Sequence, residues 1–251
     1  MTTVGFSLVT HKSDDLRPDA LVLSEAMITS IKKNLKYPFK IAVVDNGSTN
    51  KNEFKNFFED LFSRLSIEDY EVIRIENQFV RGISGGWNEG IKWCYEKGCD
   101  VLTTVSDDLL YNESINEFYN QITQHPNRDK SIFGPVSNKS IHWGNDRHQG
   151  NEVVDVSNNH VCDPLKREKS GQGILHGFSL TMTRESYENM MTKEGFVFSE
   201  NKENIWGGQE HEAQRRVWKN FGKSFVVTHC YVEHTSIQKP KIWKTLHGRN
   251  K

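Results

Sequence analysis

The amino-acid sequence predicts an α/β fold with a single, mainly parallel central sheet that is flanked by helices. The first observation is that short apolar runs alternate, up to residue 136, with segments whose apolar residues recur every three or four positions. This alternation is typical of βαβ units, in which a helix connects two parallel strands. The second observation is that three of the predicted strands end in polar residues, as is typical of ligand sites on parallel sheets.

The elements of the first half follow one another regularly. The predicted strands are residues 4–10, 41–45, 70–76, 100–106 and 131–136, and the predicted helices are residues 19–35, 53–65, 87–97 and 114–124. Pro18 precedes the first helix, Gly98 follows the third and Pro126 follows the fourth. These residues are typical of helix boundaries, because proline cannot continue a helix and glycine tolerates the left-handed conformation at a C-terminus.

The second half contains fewer periodic segments. Residues 137–172 are polar and without clear periodicity, and a loop of this length usually has a function or contains a short hairpin, with residues 153–156 as one candidate arm. The remaining predicted elements are the strands 173–183 and 224–233 and the helices 184–191 and 207–221. Since there is no repeat and no low-complexity linker, we predict a single domain over residues 1–251.

The charge balance and the cysteines limit the class of protein. The 251 residues contain 32 Lys and Arg and 33 Asp and Glu, a net charge of −1, whereas a dedicated nucleic-acid binder should be strongly basic. No apolar run reaches the roughly 18 residues of a transmembrane helix. The four cysteines form no C-x-x-C pair and no secretory signal is recognisable, so we expect reduced thiols and a cytoplasmic location.

Polar residues stand at three predicted strand ends, at Thr10-His11, Asp45-Asn46-Gly47 and Ser106-Asp107-Asp108. Because the carboxyl ends of parallel strands meet at one edge of a sheet, we expect the three to converge on one crevice. Asp45 and Asn46 can hydrogen-bond a base edge or a ribose, although Asn-Gly is also a common turn. Asp107 and Asp108 are typical of a Mg²⁺ or Mn²⁺ site on a diphosphate, the alternative being solvated acids near the start of a helix.

Two further motifs lie next to helices. The glycines of residues 82–90 let the backbone approach an anionic ligand at a helix N-terminus, or else let the helix pack closely on the sheet. Glu210 begins a stripe that continues through Ala213, Val217 and Phe221 at steps of three and four residues. The apolar members should face the core, so Glu210 is expected at the edge of a cleft, where a carboxylate can act as a general base. The alternative is a glutamate that interacts only with the helix dipole.

In their order and spacing, these motifs resemble the inverting family 2 glycosyltransferases, which have the GT-A fold. The matching stretches are residues 44–49, 77–90, 107–108, 177–185 and 207–212, and the resemblance covers about residues 4–235. It implies a Rossmann-like nucleotide-sugar-binding half over about residues 1–136 and an acceptor and catalytic half over about 137–235. A basic tail, residues 236–251, follows.

The resemblance also implies the roles of individual residues. It assigns the donor to Thr10, Asp45, Asn46, Gly85, Asn88 and Asp107, and the acceptor side to Gly177 and Gly208. Trp206 is a further candidate on the acceptor side, because it precedes two glycines and could stack on a sugar, core packing being the alternative. Asp108 and His234 are the implied ligands of Mn²⁺ or Mg²⁺, with His229 as the rival histidine. Glu210 is the implied general base. Two departures are Asn46, where the family often has an acid, which leaves the donor base open, and Gln209, which replaces a frequent acidic neighbour of the base.

The implied function is a metal-dependent, inverting transfer of a sugar from a nucleoside-diphosphate sugar to a hydroxyl of a glycan or glycoconjugate. One alternative is a module that binds sugar nucleotides without catalysis. Another is a sugar nucleotidyltransferase, although Thr10 to Asp14 do not form the glycine-rich basic loop that such enzymes carry. The tail contains basic residues and no acid, so it is a candidate for contact with phosphates or an anionic membrane, a solvated tail being the alternative.

Overall fold

The computed structural model describes residues 1–14, 17–76, 78–137, 160–162, 175, 177–191, 195–200, 209–220 and 224–235. Three of the sequence predictions concern residues outside these ranges: the hairpin arm at 153–156, the acceptor-side residues Trp206 and Gly208, and the basic tail at 236–251. None of the helices in the described part of the chain is both long and apolar enough to cross a membrane.

The described elements alternate as the sequence predicts. The strands are β1 (Val4–Thr10), β2 (Phe39–Asp45), β3 (Tyr70–Arg74), β4 (Val101–Val105), β5 (Leu109–Tyr111), β6 (Ile132–Ser137), β7 (His160–Cys162), β8 (Ser179–Thr183) and β9 (Ser224–His234). The helices are α1 (Ala20–Asn34), α2 (Lys51–Arg64), α3 (Gln78–Glu96), α4 (Ile115–Gln124), α5 (Arg184–Met190) and α6 (Gln209–Asn220), with a 3₁₀ turn at Arg128–Lys130.

The described strands form one sheet in the order β3-β2-β1-β4-β8-β6-β9-β5, with β7 paired to β9. The pairs β1–β2, β2–β3, β1–β4 and β6–β9 are parallel, and β8 joins the parallel first half to the second half through antiparallel pairs with β4 and β6. The predicted α/β class, with a central, mostly parallel sheet flanked by helices, is confirmed. Each antiparallel pair includes a strand of the second half of the chain (β7, β8 or β9), where the sequence pattern is least regular.

Alternating residues of the strands supply the cores on the two faces of the sheet. In β2, Ile41 and Val43 pack with the side chains of α1, α2 and α4, whereas Ala42 and Val44 pack with those of α3, α5 and α6. Such alternation follows from the two-residue period of a strand. Because both faces are covered by helices, the central strands β1 and β4 are buried along their whole length.

The structure differs from the sequence prediction at four elements. The strands β5 and β7 were not predicted, because three residues are too few to show a periodicity. The strand predicted over 173–183 is described only as β8, from Ser179. The helix predicted from residue 87 begins at Gln78, with a kink at Gly82, whose φ of 60° and ψ of −160° are accessible to glycine alone.

The glycines that follow Gly82 bring α3 close to the sheet. A Cβ atom at Gly86 would lie 2.7 Å from the Val9 Cγ1 atom, and one at Gly90 would lie 2.1 Å from the Ser7 Oγ atom. Both distances are far below van der Waals contact, so a larger residue at either position would push α3 away from β1. The close-packing interpretation of this glycine-rich segment therefore holds for Gly86 and Gly90.

Candidate functional site

The three polar strand ends meet at the carboxyl edge of the parallel half of the sheet. Thr10 pairs with Asp45 in the register of β1 and β2, and the Asn46 amide donates to the Thr10 carbonyl at 2.9 Å. The Thr10 hydroxyl donates to the Asp107 Oδ2 atom at 2.6 Å, across the edge of the neighbouring β4. The predicted convergence of Thr10, Asp45 and Asp107 on one crevice is confirmed, because parallel neighbours end on the same side.

Two arginines neutralise the carboxylates of this crevice. The Arg17 Nη2 atom donates to both carboxylate oxygens of Asp107, at 2.8 and 2.7 Å, and Arg74 on β3 pairs with Asp45. Asp45 is 2% exposed and Asp107 is 4% exposed, so each carboxylate requires a nearby cation. The charge of Asp107 is the largest cause that raises the pKa of Arg17 above its ordinary value. Neither arginine could be recognised as part of this site from the sequence, because Arg17 lies 90 residues from Asp107 and Arg74 lies 29 residues from Asp45.

We call His11, Asn46 and Ser84 the floor of the crevice, because a buried polar atom of each side chain lacks a hydrogen-bond partner among the described residues. These atoms are His11 Nδ1, Asn46 Oδ1 and Ser84 Oγ. The Asn46 Nδ2 atom lies 3.5 Å from the Gly82 carbonyl, which brings this strand end to the kink of α3. Burial lowers the pKa of His11, so its imidazole is neutral at pH 7. Unsatisfied buried polar atoms are costly, and a bound ligand would satisfy them.

An adjacent pair of carboxylates stands beside this floor. Asp107 and Asp108 are 4% and 6% exposed. The Asp108 carbonyl accepts hydrogen bonds from the Thr235 amide at 2.8 Å and from the Thr235 hydroxyl at 2.9 Å. In the pairing of β5 with β9, His234 lies opposite Leu109, the residue after Asp108. The backbone thus brings His234 next to Asp108, whereas His229 lies five residues earlier on β9.

The described residues at this edge supply some of the ligands that a hard divalent cation needs, but not a complete set. The described residues contain no group of three or more His, Cys, Asp and Glu side chains that could hold a metal ion. Mg²⁺ and Mn²⁺, however, are commonly held by one or two carboxylates together with substrate phosphates and water. Asp107 and Asp108 supply such carboxylates, so the residues present fit a cation that shares a diphosphate.

The helix α6 approaches the site from the second half of the chain. Glu210 is its second residue, one helical turn before Ala213, and Ala213 and Val217 are completely buried. Ala213 and Val217 of the predicted apolar stripe therefore face the core, and its last member, Phe221, lies outside the described residues. The Gln214 side chain fixes the helix to Leu175, accepting from the Leu175 amide at 2.7 Å and donating to its carbonyl at 2.8 Å.

The remaining candidate residues occupy two different places. Gly177 precedes Phe178, whose carbonyl accepts from the Ser106 amide at 2.8 Å, so Gly177 lies beside the acidic strand end. Asn88, by contrast, uses its side-chain amide to bind residues 197–200, with donor bonds of 2.8 Å to the Phe198 carbonyl and 3.1 Å to Glu200. Asn88 thus binds a neighbouring segment of the chain, and sequence reasoning missed this contact.

Removing Arg17, which pairs with Asp107, should lower the stability of the protein and make it depend more strongly on metal binding. In Arg17→Met, the buried carboxylate loses its partner, at a cost of about 3 kcal/mol, which lowers Tm by roughly 6–12 °C. Mn²⁺ should then raise Tm more than in the wild type, because the Asp107 carboxylate, no longer paired with Arg17, binds the cation more tightly. Thermal unfolding with and without Mn²⁺ measures both effects.

The exposed Arg64, which pairs with Glu25 and Asp60, provides the matched control. Arg64→Met should cost less than about 1 kcal/mol and leave the response to Mn²⁺ unchanged. An equal response to Mn²⁺ in Arg17→Met and in the wild type would show that Arg17 does not compete with a cation at this edge.

Sequence and structure comparisons relate this chain to known proteins. The model of the family "Glycosyl transferase family 2" matches residues 25–184, more than half of the chain. No curated protein sequence matches the chain.

Three solved structures illustrate the fold that this chain shares with known proteins. The structure of S. aureus TarS 1-349 superposes with a TM-score of 0.64 at 12% identity, over 94% of this chain and 60% of that one. GalNAc-T7 with UDP, GalNAc and Mn²⁺ gives 0.61 at 17% identity, over 95% and 44%. The mannosyltransferase PcManGT from Pyrobaculum calidifontis, in complex with GDP-Man and Mn²⁺, gives 0.59 at 14% identity, over 97% and 59%. The chain therefore spans about half to three fifths of these proteins.

Proposed function

Since the chain belongs to glycosyl transferase family 2, we propose that it transfers a sugar from a nucleoside-diphosphate sugar to an acceptor hydroxyl, with inversion at the anomeric carbon. The observation that carries this proposal is the crevice at the carboxyl edge of β1, β2 and β4. There, the buried polar atoms of His11, Asn46 and Ser84 have no hydrogen-bond partner among the described residues. Thr10, which precedes His11 in the chain, donates to Asp107, the first of the buried acidic pair of Asp107 and Asp108. Such a crevice combines a floor for a nucleoside with ligands for a metal-bound diphosphate.

The parallel half of the sheet would bind the donor. We assign the base and ribose to Asn46, His11 and Ser84, each of which has one buried polar atom without a hydrogen-bond partner among the described residues. The ribose is also assigned to Asp107, through its position beside Thr10. The structures of GalNAc-T7 and PcManGT contain UDP and GDP-Man, respectively, each with Mn²⁺. Both uridine and guanosine nucleotides are therefore to be tested as donors.

The residues that would hold a divalent metal are Asp108 and His234, with the donor diphosphate completing the coordination. A bound Mn²⁺ or Mg²⁺ neutralises the negative charge that develops on the departing nucleoside diphosphate. Arg17 is paired to Asp107 and offsets the charge of that carboxylate. In this proposal the metal supplies the positive charge that a chain with a net charge of −1 needs in order to bind a diphosphate.

The second half of the chain would supply the base. Glu210 takes the proton of the acceptor hydroxyl, and the resulting oxygen attacks the anomeric carbon from the face opposite the diphosphate. The bond from that carbon to the phosphate oxygen breaks as the new glycosidic bond forms, and the nucleoside diphosphate leaves with the bonding electrons. Gly177, Trp206 and Gly208 are proposed for the acceptor side, the last two lying outside the described residues.

A thermal-shift screen tests the proposal. UDP, GDP, ADP and their sugar derivatives are added with and without Mn²⁺, and donor turnover is then measured by release of the nucleoside diphosphate. A ligand at one hundred times its Kd stabilises the folded state by about 2.7 kcal/mol, so one base should stand out and should require the metal. Binding without turnover or transfer for every donor and acceptor would instead identify a non-catalytic module, and release of pyrophosphate from a nucleoside triphosphate would identify a nucleotidyltransferase.

The buried amide of Asn46 should decide which base is bound. Asn46→Ala is expected to weaken the preferred nucleotide at least tenfold, because the base loses a hydrogen bond in a site closed to water. Asn120→Ala, at a half-buried position on α4, is the control and should leave nucleotide affinity unchanged. If Asn46→Ala binds every nucleotide as the wild type does, the base is held elsewhere.

Three finer proposals concern the acceptor, the location and the membrane contact of the protein. The acceptor is proposed to be a glycan or glycoconjugate, and the protein is proposed to act in the cytoplasm. The tail of residues 236–251, outside the described residues, is proposed to contact anionic lipid headgroups through its lysines and arginine. Co-sedimentation with vesicles that contain an anionic lipid, compared with neutral vesicles, tests this contact.

A further inference from the structure

Residues 195–200 contact both α3, which reaches the donor crevice, and α6, which contains the proposed base. On one side, the Asn88 side chain closes over this segment: its Oδ1 atom accepts from the Val197 amide at 3.2 Å and the Phe198 amide at 3.0 Å, and its Nδ2 atom donates to the Phe198 carbonyl at 2.8 Å. The Phe198 ring also packs on Trp87, with 5.0 Å between centroids. The segment is therefore fixed to α3 by both main-chain and side-chain contacts.

Arg81 adds an ion pair to these contacts. Its Nε and Nη2 atoms donate to the two carboxylate oxygens of Glu200, each at 2.7 Å, and its Nη1 atom donates to Glu89 at 2.7 Å. A bidentate ion pair of this kind sets the relative orientation of the guanidinium and the carboxylate as well as the distance between them. A Cβ atom at Gly85 would lie 2.4 Å from the Arg81 Cβ atom, so the glycine leaves room for the arginine side chain.

The opposite side of the segment contacts α6. The Ser199 hydroxyl donates to the Glu212 carboxylate at 2.8 Å, and the Arg216 guanidinium donates to the Val197 carbonyl. Glu212 and Arg216 lie on the helix that begins at Gln209, and Glu210 is in its first turn. Residues 195–200 thus stand between α3 and α6 and bind to both.

The same helix α3 also reaches the donor crevice. Its kink residue Gly82 lies one position after Arg81, and the Gly82 carbonyl faces the Asn46 side chain, with Ser84 two residues further on. Arg81 is therefore one residue from the contact with Asn46, and it is linked to α6 through Glu200 and the Ser199–Glu212 hydrogen bond. Burial raises the pKa of Glu200, but its hydrogen bonds from Arg81 and Asn88 lower the pKa by more, so the carboxylate stays charged at neutral pH.

We propose that Arg81 and Glu200 are positioning residues for transfer: through residues 195–200 they fix the start of α6, and with it Glu210, relative to the bound donor. This inference rests on the proposed function, since it assumes that Glu210 acts on an acceptor beside that donor. Neither residue is assigned a contact with substrate. Their effect is on geometry, and a displacement of about 1 Å can cost a factor of about 100 in rate.

The test compares kcat with donor binding in Arg81→Gln, in Glu200→Gln and in the charge-reversed double variant Arg81→Glu with Glu200→Arg. Each single variant should lower kcat by about 10- to 100-fold. The donor KM and the donor-induced thermal shift should change by less than about threefold. The double variant should recover part of the lost kcat, because it restores an ion pair at the same place. Lys92→Gln, which removes the exposed Lys92–Glu96 pair of the same helix, is the control.

Hydrogen exchange provides a measurement that does not depend on catalysis. In Arg81→Gln, the amides of residues 195–200 and 209–216 should exchange faster, while those of β1, β2 and β4 should not change. Unchanged exchange in these two segments would overturn the inference, as would a single variant that loses donor binding and keeps kcat. If the wild type itself transfers no sugar from any donor, the proposed function fails, and the exchange measurement still decides whether this ion pair fixes α6.

Discussion

Replacing Glu210 with glutamine is expected to lower kcat by about 10²- to 10⁴-fold, the range that a general base contributes. The physical reason is that a carboxamide cannot accept the proton of the acceptor hydroxyl, although its size and polarity are close to those of the carboxylate. Donor affinity should not change, because the crevice at Asn46 and Asp107 lies in the other half of the chain. Steady-state transfer kinetics and the thermal shift with the preferred nucleotide measure the two effects separately.

A glutamate at the matching position of another helix serves as the control. Glu185 is the exposed second residue of α5, as Glu210 is the second residue of α6. Glu185→Gln should therefore have the same effect on the first turn of a helix without affecting catalysis. Near wild-type kcat in Glu210→Gln would mean that the proton is taken by another group, and an equal loss in both variants would point to an unspecific effect on helix stability.

The second large effect is expected at the acidic pair. Asp108→Asn should lower transfer by about two to three orders of magnitude, because it removes a charged metal ligand worth several kcal/mol in the transition state. The stabilisation by the nucleotide in the presence of Mn²⁺ should fall to the level seen with the metal omitted. Transfer rates and thermal unfolding over a series of Mn²⁺ concentrations measure this. Asp60→Asn on the surface of α2 is the control and should change neither.

The two histidines of β9 refine this test. His234→Ala should raise the Mn²⁺ concentration needed for half-maximal transfer by about 10- to 100-fold, as expected for the loss of a ligand or of a group that orients one. His229→Ala should leave it unchanged, because the pairing of β5 with β9 brings His234 rather than His229 beside Asp108. Equal responses of the two variants would remove His234 from the metal site.

Several elements of the fold could be read from local patterns. The strand predicted over residues 4–10 is observed with those bounds, and the helix boundaries at residues 19–35 and 114–124 differ from the observed ones by a single residue. Gly98 has the predicted positive φ of 77° at the end of α3, and the Cys99 and Gly98 amides close the last turn onto Cys94 and Tyr95. These features depend on neighbours within a few residues, which a sequence displays directly.

The candidate site was only partly accessible in this way. Thr10, Asp45, Asn46, Asp107 and Asp108 could be found because each follows an apolar strand, and the ends of parallel strands must meet. Arg17, Arg74 and the pair of Arg81 with Glu200 could not be found. Their partners lie 90, 29 and 119 residues away along the chain. A charged residue in a loop or on a strand looks the same in the sequence whether it faces solvent or a buried carboxylate.

The sequence by itself therefore determined the class of fold, the order of its elements and the edge of the sheet where polar residues collect, because periodicity and turn chemistry are local. Only the tertiary structure decided which cation neutralises each buried carboxylate, which histidine lies beside Asp108, and that Asn88 binds residues 197–200. These outcomes follow from the strand register and from the burial of charges, which require partners that are distant in the chain. The fold brings those partners together after the local elements have formed their common sheet.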